Sequence, residues 1–302
     1  MYKSFFHLHS SPFADSPDPR FLVRMPHTRE ALATLEYGIS AHKGFIVLTG
    51  EVGTGKTTLL RSALTAFDPG RIFASFVFNP RLDVLDFFEF ILTDFGIVPQ
   101  NRTKSGMLIQ LNRWLVERFR RDETAVIVID EAQNLTWEQL EEVRLLTNLE
   151  TDTRKLVQII LSGQPELEEK LSAPDLRQLR QRVSLWARTD AITAEETSAY
   201  IAQRLLIAGS SDLIFPDDTV AVIYRASRGI PRIINLICEQ ALILAYVEQL
   251  HQVPAPLVQA VVRDLGLEPQ PFMISSAPGG PAASPTPPSM THPQWGEGGE
   301  KR

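Results

Sequence analysis

Five short apolar runs, at 45–49, 71–78, 125–129, 156–162 and 183–189, stand between longer stretches in which apolar residues recur every three or four positions. Runs without polar alternation suit strands buried on both faces, and the three-to-four spacing predicts helices. Helical stretches near 84–95 and 105–121 separate the second and third runs, and another covers 136–149. The pattern predicts an α/β fold, a parallel sheet wound by helices on both faces. After 190 no strand signal remains, and four helices are predicted near 194–208, 217–227, 231–248 and 256–265. Thr193 with Glu196 makes a capping-box pair at the first of these, while Pro216-Asp217 and Pro231 mark later starts.

From Glu268 onward the pattern lapses into Pro, Gly, Ser and Thr, which predicts a disordered tail. Acidic residues outnumber basic ones by 36 to 30, a net charge of −6, so the chain as a whole carries no electrostatic signature of nucleic-acid binding. The single cysteine, Cys238, sits in a helical apolar pattern and reads as a core thiol. No apolar run reaches the ~18 residues of a membrane span, and the first thirty residues do not read as a secretory signal. Asn235, Glu239 and Gln240 interrupt the nearest approach, 233–247. A cytoplasmic protein is expected.

One segment changes this picture from architecture to chemistry. Gly50-Glu51-Val52-Gly53-Thr54-Gly55-Lys56-Thr57, followed by Thr58, lies where the first apolar run gives way to a helix. Glycines at 50, 53 and 55 allow a turn tight enough for backbone N–H groups to converge on phosphate oxygens, at the positive end of the following helix. Lys56 then reaches the outer phosphates, and Thr57 offers a hydroxyl to Mg²⁺. Nucleotide binding follows as the first functional expectation.

The third apolar run ends in Asp130-Glu131, two carboxylates at the sheet edge where α/β proteins bind ligands. Asp130 is expected to steady the hydrated Mg²⁺ beside Thr57, and Glu131 to polarise the attacking water, with the acids beside the loop if their strands are adjacent. The fourth run ends at Ser162-Gly163-Gln164, and either polar side chain there is placed to hold the water or the terminal phosphate. A plain strand-to-helix turn accounts for the same residues almost equally well. Arg177, Arg180 and Arg182 precede the last run at spacings that cannot share one helical face, so at least one points outward, where it could reach a neighbouring subunit's nucleotide. Arg228-Gly229-Ile230-Pro231-Arg232 opens the third C-terminal helix, from which Arg232 could swing over bound phosphates.

In this order, phosphate loop, acidic strand end, polar strand tip, arginines and a Gly-Ile-Pro-Arg helix start resemble the AAA+ ATPases over about residues 20–266. The phrases GFIVLTGEVGTGKTTLLR, LLTNLETDTRKLVQIILSGQPEL and LRQLRQRVSLWARTDAITAEET are more narrowly similar to the ExeA/GspA group, whose members include secretion- and pilus-associated ATPases. The resemblance implies a P-loop NTPase with a five-stranded parallel sheet of order 5-1-4-3-2 and a small all-α lid. The implied divisions are 1–190 for the N-terminal segment and nucleotide-binding core, 191–266 for the lid and 267–302 for the tail. It also implies ATP and Mg²⁺ as cofactors, Asp130 and Glu131 as Walker B acids, Ser162 to Gln164 as first sensor, Arg182 as finger, Arg232 as second sensor, and Pro19 to His27 against the adenine.

The implied activity is ATP hydrolysis by a bacterial homo-oligomer that supports a secretion, pilus or exopolysaccharide export system, recruited to the inner membrane through a protein partner. Secretion members of the group carry a transmembrane helix and a peptidoglycan-binding domain after the ATPase, whereas this sequence continues into its Pro-rich stretch. The alternative is a DNA-associated regulator resembling the transposition ATPases TnsC and TniB, with Arg102, Lys104, Arg113, Arg118, Arg120 and Arg121 facing DNA. A solvated amphipathic helix is the plainer account of those residues. A nucleotide switch without hydrolysis is disfavoured because both acids are present.

Overall fold

Each predicted run forms a strand in the computed structural model: β1 (Phe45–Gly50), β2 (Ile72–Val77), β3 (Thr124–Ile129), β4 (Val157–Gly163) and β5 (Leu185–Thr189). The structure describes residues 1–68, 70–78 and 82–268; nearly all of the proposed tail lies outside them. All pairings are parallel, and the order β2-β3-β4-β1-β5 is the expected 5-1-4-3-2 read from the opposite edge.

Why the runs lack polar alternation is visible in the packing. Phe45 and Val47 of β1, with Ile127 and Ile129 of β3 and Ile159 and Leu161 of β4, enter one core cluster. Ile46 and Leu48, Val126 and Val128, and Ile160 enter the cluster on the opposite face. Successive side chains point to opposite faces, so a strand covered twice is apolar at nearly every position, and a buried exception such as Gln158 takes a hydrogen bond, here from the Gly44 N–H.

The helices are α1 (Tyr2–Phe5), α2 (Pro26–Ser40), α3 (Lys56–Thr65), α4 (Val84–Asp94), α5 (Lys104–Arg120), α6 (Trp137–Leu146), α7 (Glu166–Leu171), α8 (Arg177–Arg180), α9 (Ala194–Ala208), α10 (Asp217–Ser227), α11 (Pro231–Val247) and α12 (Ala255–Asp264). Helix α2 has no counterpart among the predicted elements. Pro26 starts it, and Ala31, Leu32, Leu35 and Ile39 supply a buried stripe. That stripe joins Leu59, Leu60 and Ala63 of α3 over one sheet face, while α4 to α8 cover the other. Thr193 and Glu196 close both bonds of the predicted capping box at α9, and Thr136 with Gln139 does the same at α6.

A third cluster unites α9 to α12 with the N-terminal segment. Phe6, Leu8, Phe13, Phe21, Val23 and Met25 share it with Ile201, Ile237 and Val258. Sequence reading grouped the N-terminal segment with the α/β core; its apolar side chains instead complete the core of the C-terminal helices. Four short helices lack enough apolar area alone, and the added aromatics fill the space. Tyr2 donates to Glu239 at 2.7 Å, and Phe5 stacks on His251 with ring centroids 4.4 Å apart. Cys238 is buried as expected, and desolvation pushes its thiol up, away from reactivity. Among the described residues no helix is long and apolar enough to cross a membrane.

Candidate functional site

Strand register decides which polar groups meet. Ile129 pairs with Leu161, so the residues that follow, Asp130 and Ser162, emerge side by side at the carboxyl edge of the sheet. The loop after β1 lies one strand further on, because β4 separates β1 from β3. The condition that the strands be adjacent is therefore not met. Contact is made across the end of β4, where small residues, Ser162 and Gly163, leave room for it.

Thr57 donates its hydroxyl to Asp130 Oδ2 at 2.9 Å, Ser162 donates to Oδ1 at 2.7 Å, and the Glu131 N–H donates to Oδ1 at 3.0 Å. Asp130, 8% exposed, is thus fixed from both sides. Ser162 is fully buried, and its hydroxyl is spent on Asp130. Glu131 has a left-handed backbone, φ 53° and ψ 36°, a conformation that costs a residue bearing a Cβ and that concentrates at functional sites. Its Oε2 accepts from Gln133 Nε2 at 2.6 Å and from Gln164 Nε2 at 3.3 Å. Gln164 thus meets the Glu131 carboxylate itself, a contact distinct from the bond to water or terminal phosphate expected of it.

Gln133 escaped the sequence reading, although a long amide two residues beyond an acidic strand end was the available signal. Its Oε1 also accepts the Gln164 N–H at 3.2 Å, and Lys170 donates to the carbonyls of Gln133 and Leu135. The turn carrying Glu131 is consequently tied to α7.

In the phosphate loop Gly53 and Gly55 take φ of 83° and 96°. A Cβ on Gly53 would stand 2.7 Å from the Cβ of Arg232, whereas nothing lies within 4 Å of the corresponding point at Gly55. One glycine permits contact with α11, and the other leaves the cradle open. Lys56 is 7% exposed and donates to the carbonyls of Gly50 at 2.7 Å and Glu51 at 3.0 Å. Burial lowers its pKa from the usual 10.5, opposed by the charges of Glu131 and Asp130. Thr54 braces the loop against β5 through Thr189, with the two hydroxyls 2.7 Å apart.

Gly53 to Thr57, Asp130, Glu131 and Thr189 line a cleft of about 350 Å³, with Val52, Thr58 and Arg232 also on its wall, whereas Gly50, Glu51 and Gln164 do not line it. The Arg232 N–H donates to the Gly53 carbonyl at 3.1 Å, and its guanidinium to Asp15 at 3.3 Å. The far wall is formed by Phe21, Leu22, Val23, Met25 and Ile192. Part of the Pro19 to His27 segment is therefore on the cleft, together with Asp15, Tyr200, Arg204 and Asn235, which the sequence reading did not select.

Arg182 does not join them. It is half-buried outside the cleft, donating to Thr147 at 3.0 Å, while Arg180 donates to Ser172 at 3.1 Å and Arg177 is exposed. The basic stretch at 102–121, in and around α5, is also apart: Arg102 pairs with Asp86 and Glu89, Lys104 with Glu142, and Arg118 with Glu123. Arg113, Arg120 and Arg121 are exposed.

The residues fit a magnesium nucleotide. A buried ammonium with no carboxylate within ion-pair distance among the described residues, an open glycine cradle and a helix N-terminus suit phosphate oxygens. Thr57 and Asp130 are hard oxygen donors of the kind Mg²⁺ takes. Among the described residues no cluster of His, Cys, Asp and Glu is placed to hold a metal by itself, so such a cation would draw further ligands from phosphate and water.

A family model described as an AAA domain matches residues 39–171. General secretion pathway protein A from Aeromonas hydrophila is 40% identical over 254 residues, 84% of this chain; the chain spans 46% of that relative's length. Among solved structures, the Aeropyrum pernix ORC2 protein in ADPNP–ADP complexes superposes with a TM-score of 0.63 at 17% identity, over 84% of this chain and 70% of that one. The Thermotoga maritima RuvB branch-migration motor gives 0.52 at 19%, over 78% and 69%. These structural likenesses bear on the fold alone. The sheet order, the phosphate loop beside Asp130 and Glu131, the AAA-domain match and the 40% identity to that secretion protein support an AAA+ ATPase of the ExeA/GspA type.

Proposed function

We propose that this chain is a Mg²⁺-dependent ATP hydrolase that works as a homo-oligomer and supports a secretion, pilus or exopolysaccharide export machine. The observation that carries the reading is the Thr57–Asp130 pair at 2.9 Å, next to Glu131 in its left-handed turn. Lys56 binds the outer phosphates by exchanging its bonds to the loop carbonyls for phosphate oxygens. Mg²⁺ bound by Thr57 and Asp130 supplies positive charge against the phosphates. Glu131 orients water and takes its proton as the water oxygen bonds to the γ-phosphorus and the β–γ bridging bond breaks, with Gln164 and Gln133 holding the carboxylate meanwhile.

In this reading 1–190 carries the nucleotide core, and the helices of 191–266 form the lid. The N-terminal apolar side chains belong to the lid's packing. Arg232 closes the cleft from above. Arg182 reaches the nucleotide of an adjoining subunit, in keeping with its place outside its own cleft. The export role is supported by the named secretion relative, and recruitment from the cytoplasm to the inner membrane would come through a partner. DNA association has less support, because Arg102, Lys104 and Arg118 already have acidic partners.

The test is Glu131→Gln. ATP binding is expected to persist while hydrolysis falls about 10²–10⁴-fold, the usual contribution of a positioned general base. Turnover at the normal rate with bound ATP would exclude the assignment. Mixing Arg182→Ala chains into wild type should depress ATPase activity more than in proportion, and strict proportionality would remove the intersubunit role.

A further inference from the structure

The wall of the cleft also contains a buried cation that the proposed hydrolysis does not use. Arg204 is 6% exposed and has no ion pair among the described residues. It donates through Nε to the Pro12 carbonyl at 2.5 Å and through Nη1 to the Tyr200 hydroxyl at 2.8 Å. Its guanidinium also lies over the rings of Phe21 and Tyr200, 4.9 Å and 5.5 Å from their centroids.

The direction of the next bond follows from donor chemistry. Arginine has no acceptor, so the Tyr200 oxygen must accept from Arg204 and spend its only proton elsewhere. Burial raises the Tyr200 pKa despite the pull of Arg204, which keeps that proton in place. The partner 2.9 Å away is Oδ1 of Asn235. This fixes the carboxamide orientation by chemistry: the oxygen faces Tyr200, and the NH₂ group faces away from it.

Asn235 lies three residues beyond Arg232 on α11, and both line the cleft. Its NH₂ group has no hydrogen-bond acceptor among the described residues, although the residue is buried. An unused donor in a largely buried wall is costly unless a ligand or water accepts from it. Phe21, Leu22, Val23 and Met25 offer an apolar surface suited to a flat ring.

We propose that Asn235, oriented by Arg204 through Tyr200, is the donor that reads a ring nitrogen of the nucleotide's purine base. This rests on the nucleotide-binding reading given above. Asn235 is a specificity residue in contact with the base, whereas Tyr200 and Arg204 are positioning residues that act through it. Its remaining oxygen lone pair can accept from an amino group beside that nitrogen, which favours adenine.

The experiment measures equilibrium binding to the full chain of Mg·ATP, its 1-deaza, 3-deaza and 7-deaza analogues, 2′-deoxy-ATP, 3′-deoxy-ATP and Mg·tripolyphosphate. One deaza analogue is expected to bind wild type about tenfold more weakly than ATP, the size of one well-placed hydrogen bond. In Asn235→Ala that gap should close while tripolyphosphate affinity holds. Tyr200→Phe should narrow it as well, because the amide loses the bond that fixes it.

Equal binding of all deaza analogues by wild type would overturn the proposal, as would a gap that survives in Asn235→Ala. Loss confined to the deoxy analogues would assign the amide to ribose and overturn it too. Wild type that binds neither ATP nor tripolyphosphate would overturn the nucleotide reading itself, a distinct result.

Discussion

At the end proposed for phosphate the cleft draws its groups from short continuous stretches, 52–59 and 130–131, each leaving the same edge of one sheet. At the opposite end the wall is assembled from residues 12–28, 192–204 and 231–235, brought together by helix packing and an N-terminal segment that crosses to them. The first end is held by backbone turns and parallel register, which place a side chain wherever its strand stops. The second is held by side chains that must find distant partners, as Arg204 finds Pro12 and Tyr2 finds Glu239. In the proposed reading, chemistry that needs fixed charge is built on the sheet, and base recognition on side chains gathered from distant segments.

The largest break in this contrast is expected from Lys56→Met at the phosphate end. Turnover should fall about 10²–10³-fold, the cost of removing one positioned cationic or hydrogen-bonding group from a charged transition state. The empty protein should nevertheless become no less stable, because burying an ammonium opposes folding. Its pH dependence has a definite sign. Burial holds the folded pKa below 10.5, so in the window below that value the unfolded chain binds the proton more readily, and stability rises with pH there. Lys56→Met should remove that share of the rise. Denaturation at several alkaline pH values measures it, and an unchanged slope would contradict the burial argument.

Arg204→Met tests the other end. Two acceptors, the Pro12 carbonyl and the Tyr200 hydroxyl, would lose their donor, and the stacking on Phe21 would go as well. Relief of a buried charge offsets part of this, leaving an expected loss of about 2 kcal/mol in urea denaturation. Protease cutting within residues 10–20 should accelerate at the same time. Full stability with an unchanged cleavage pattern would show that the N-terminal segment is held without Arg204.

The smallest effect is expected where the two ends are linked. Arg232 and Asp15 are 3.3 Å apart but 60% and 73% exposed, so Asp15→Asn should change stability by less than about 0.5 kcal/mol. Freed of its partner, Arg232 should raise nucleotide affinity about twofold, within reach of calorimetry. Weaker binding would instead mark Asp15 as part of the binding wall.

Legibility followed the same division. Lys56, Thr57, Asp130, Glu131 and Gln164 could be chosen from the sequence because a local pattern, an apolar strand followed by a polar turn, fixes where each emerges. Arg204 sat in view as a charge within the buried stripe Tyr200, Ile201, Leu205 and Ala208 of α9. Nothing local reveals that its partner is Pro12, because that contact depends on how the first twenty-five residues fold back. Helix α2 was equally readable by its spacing and was passed over for the stronger strand signals around it.

The sequence by itself determined the parallel sheet, the phosphate loop, the acids at the strand end and the four helices after the last strand, since backbone periodicity and turn chemistry act over a few neighbouring residues. Only the tertiary structure decided that Ser162 serves Asp130, that Gln133 clamps Glu131, that the N-terminal segment completes the core of the C-terminal helices, and that Asn235 turns its amide donor away from Tyr200. Those outcomes depend on register between strands and on packing between distant segments. Their free energies come from burial and from hydrogen bonds whose partners lie far apart along the chain.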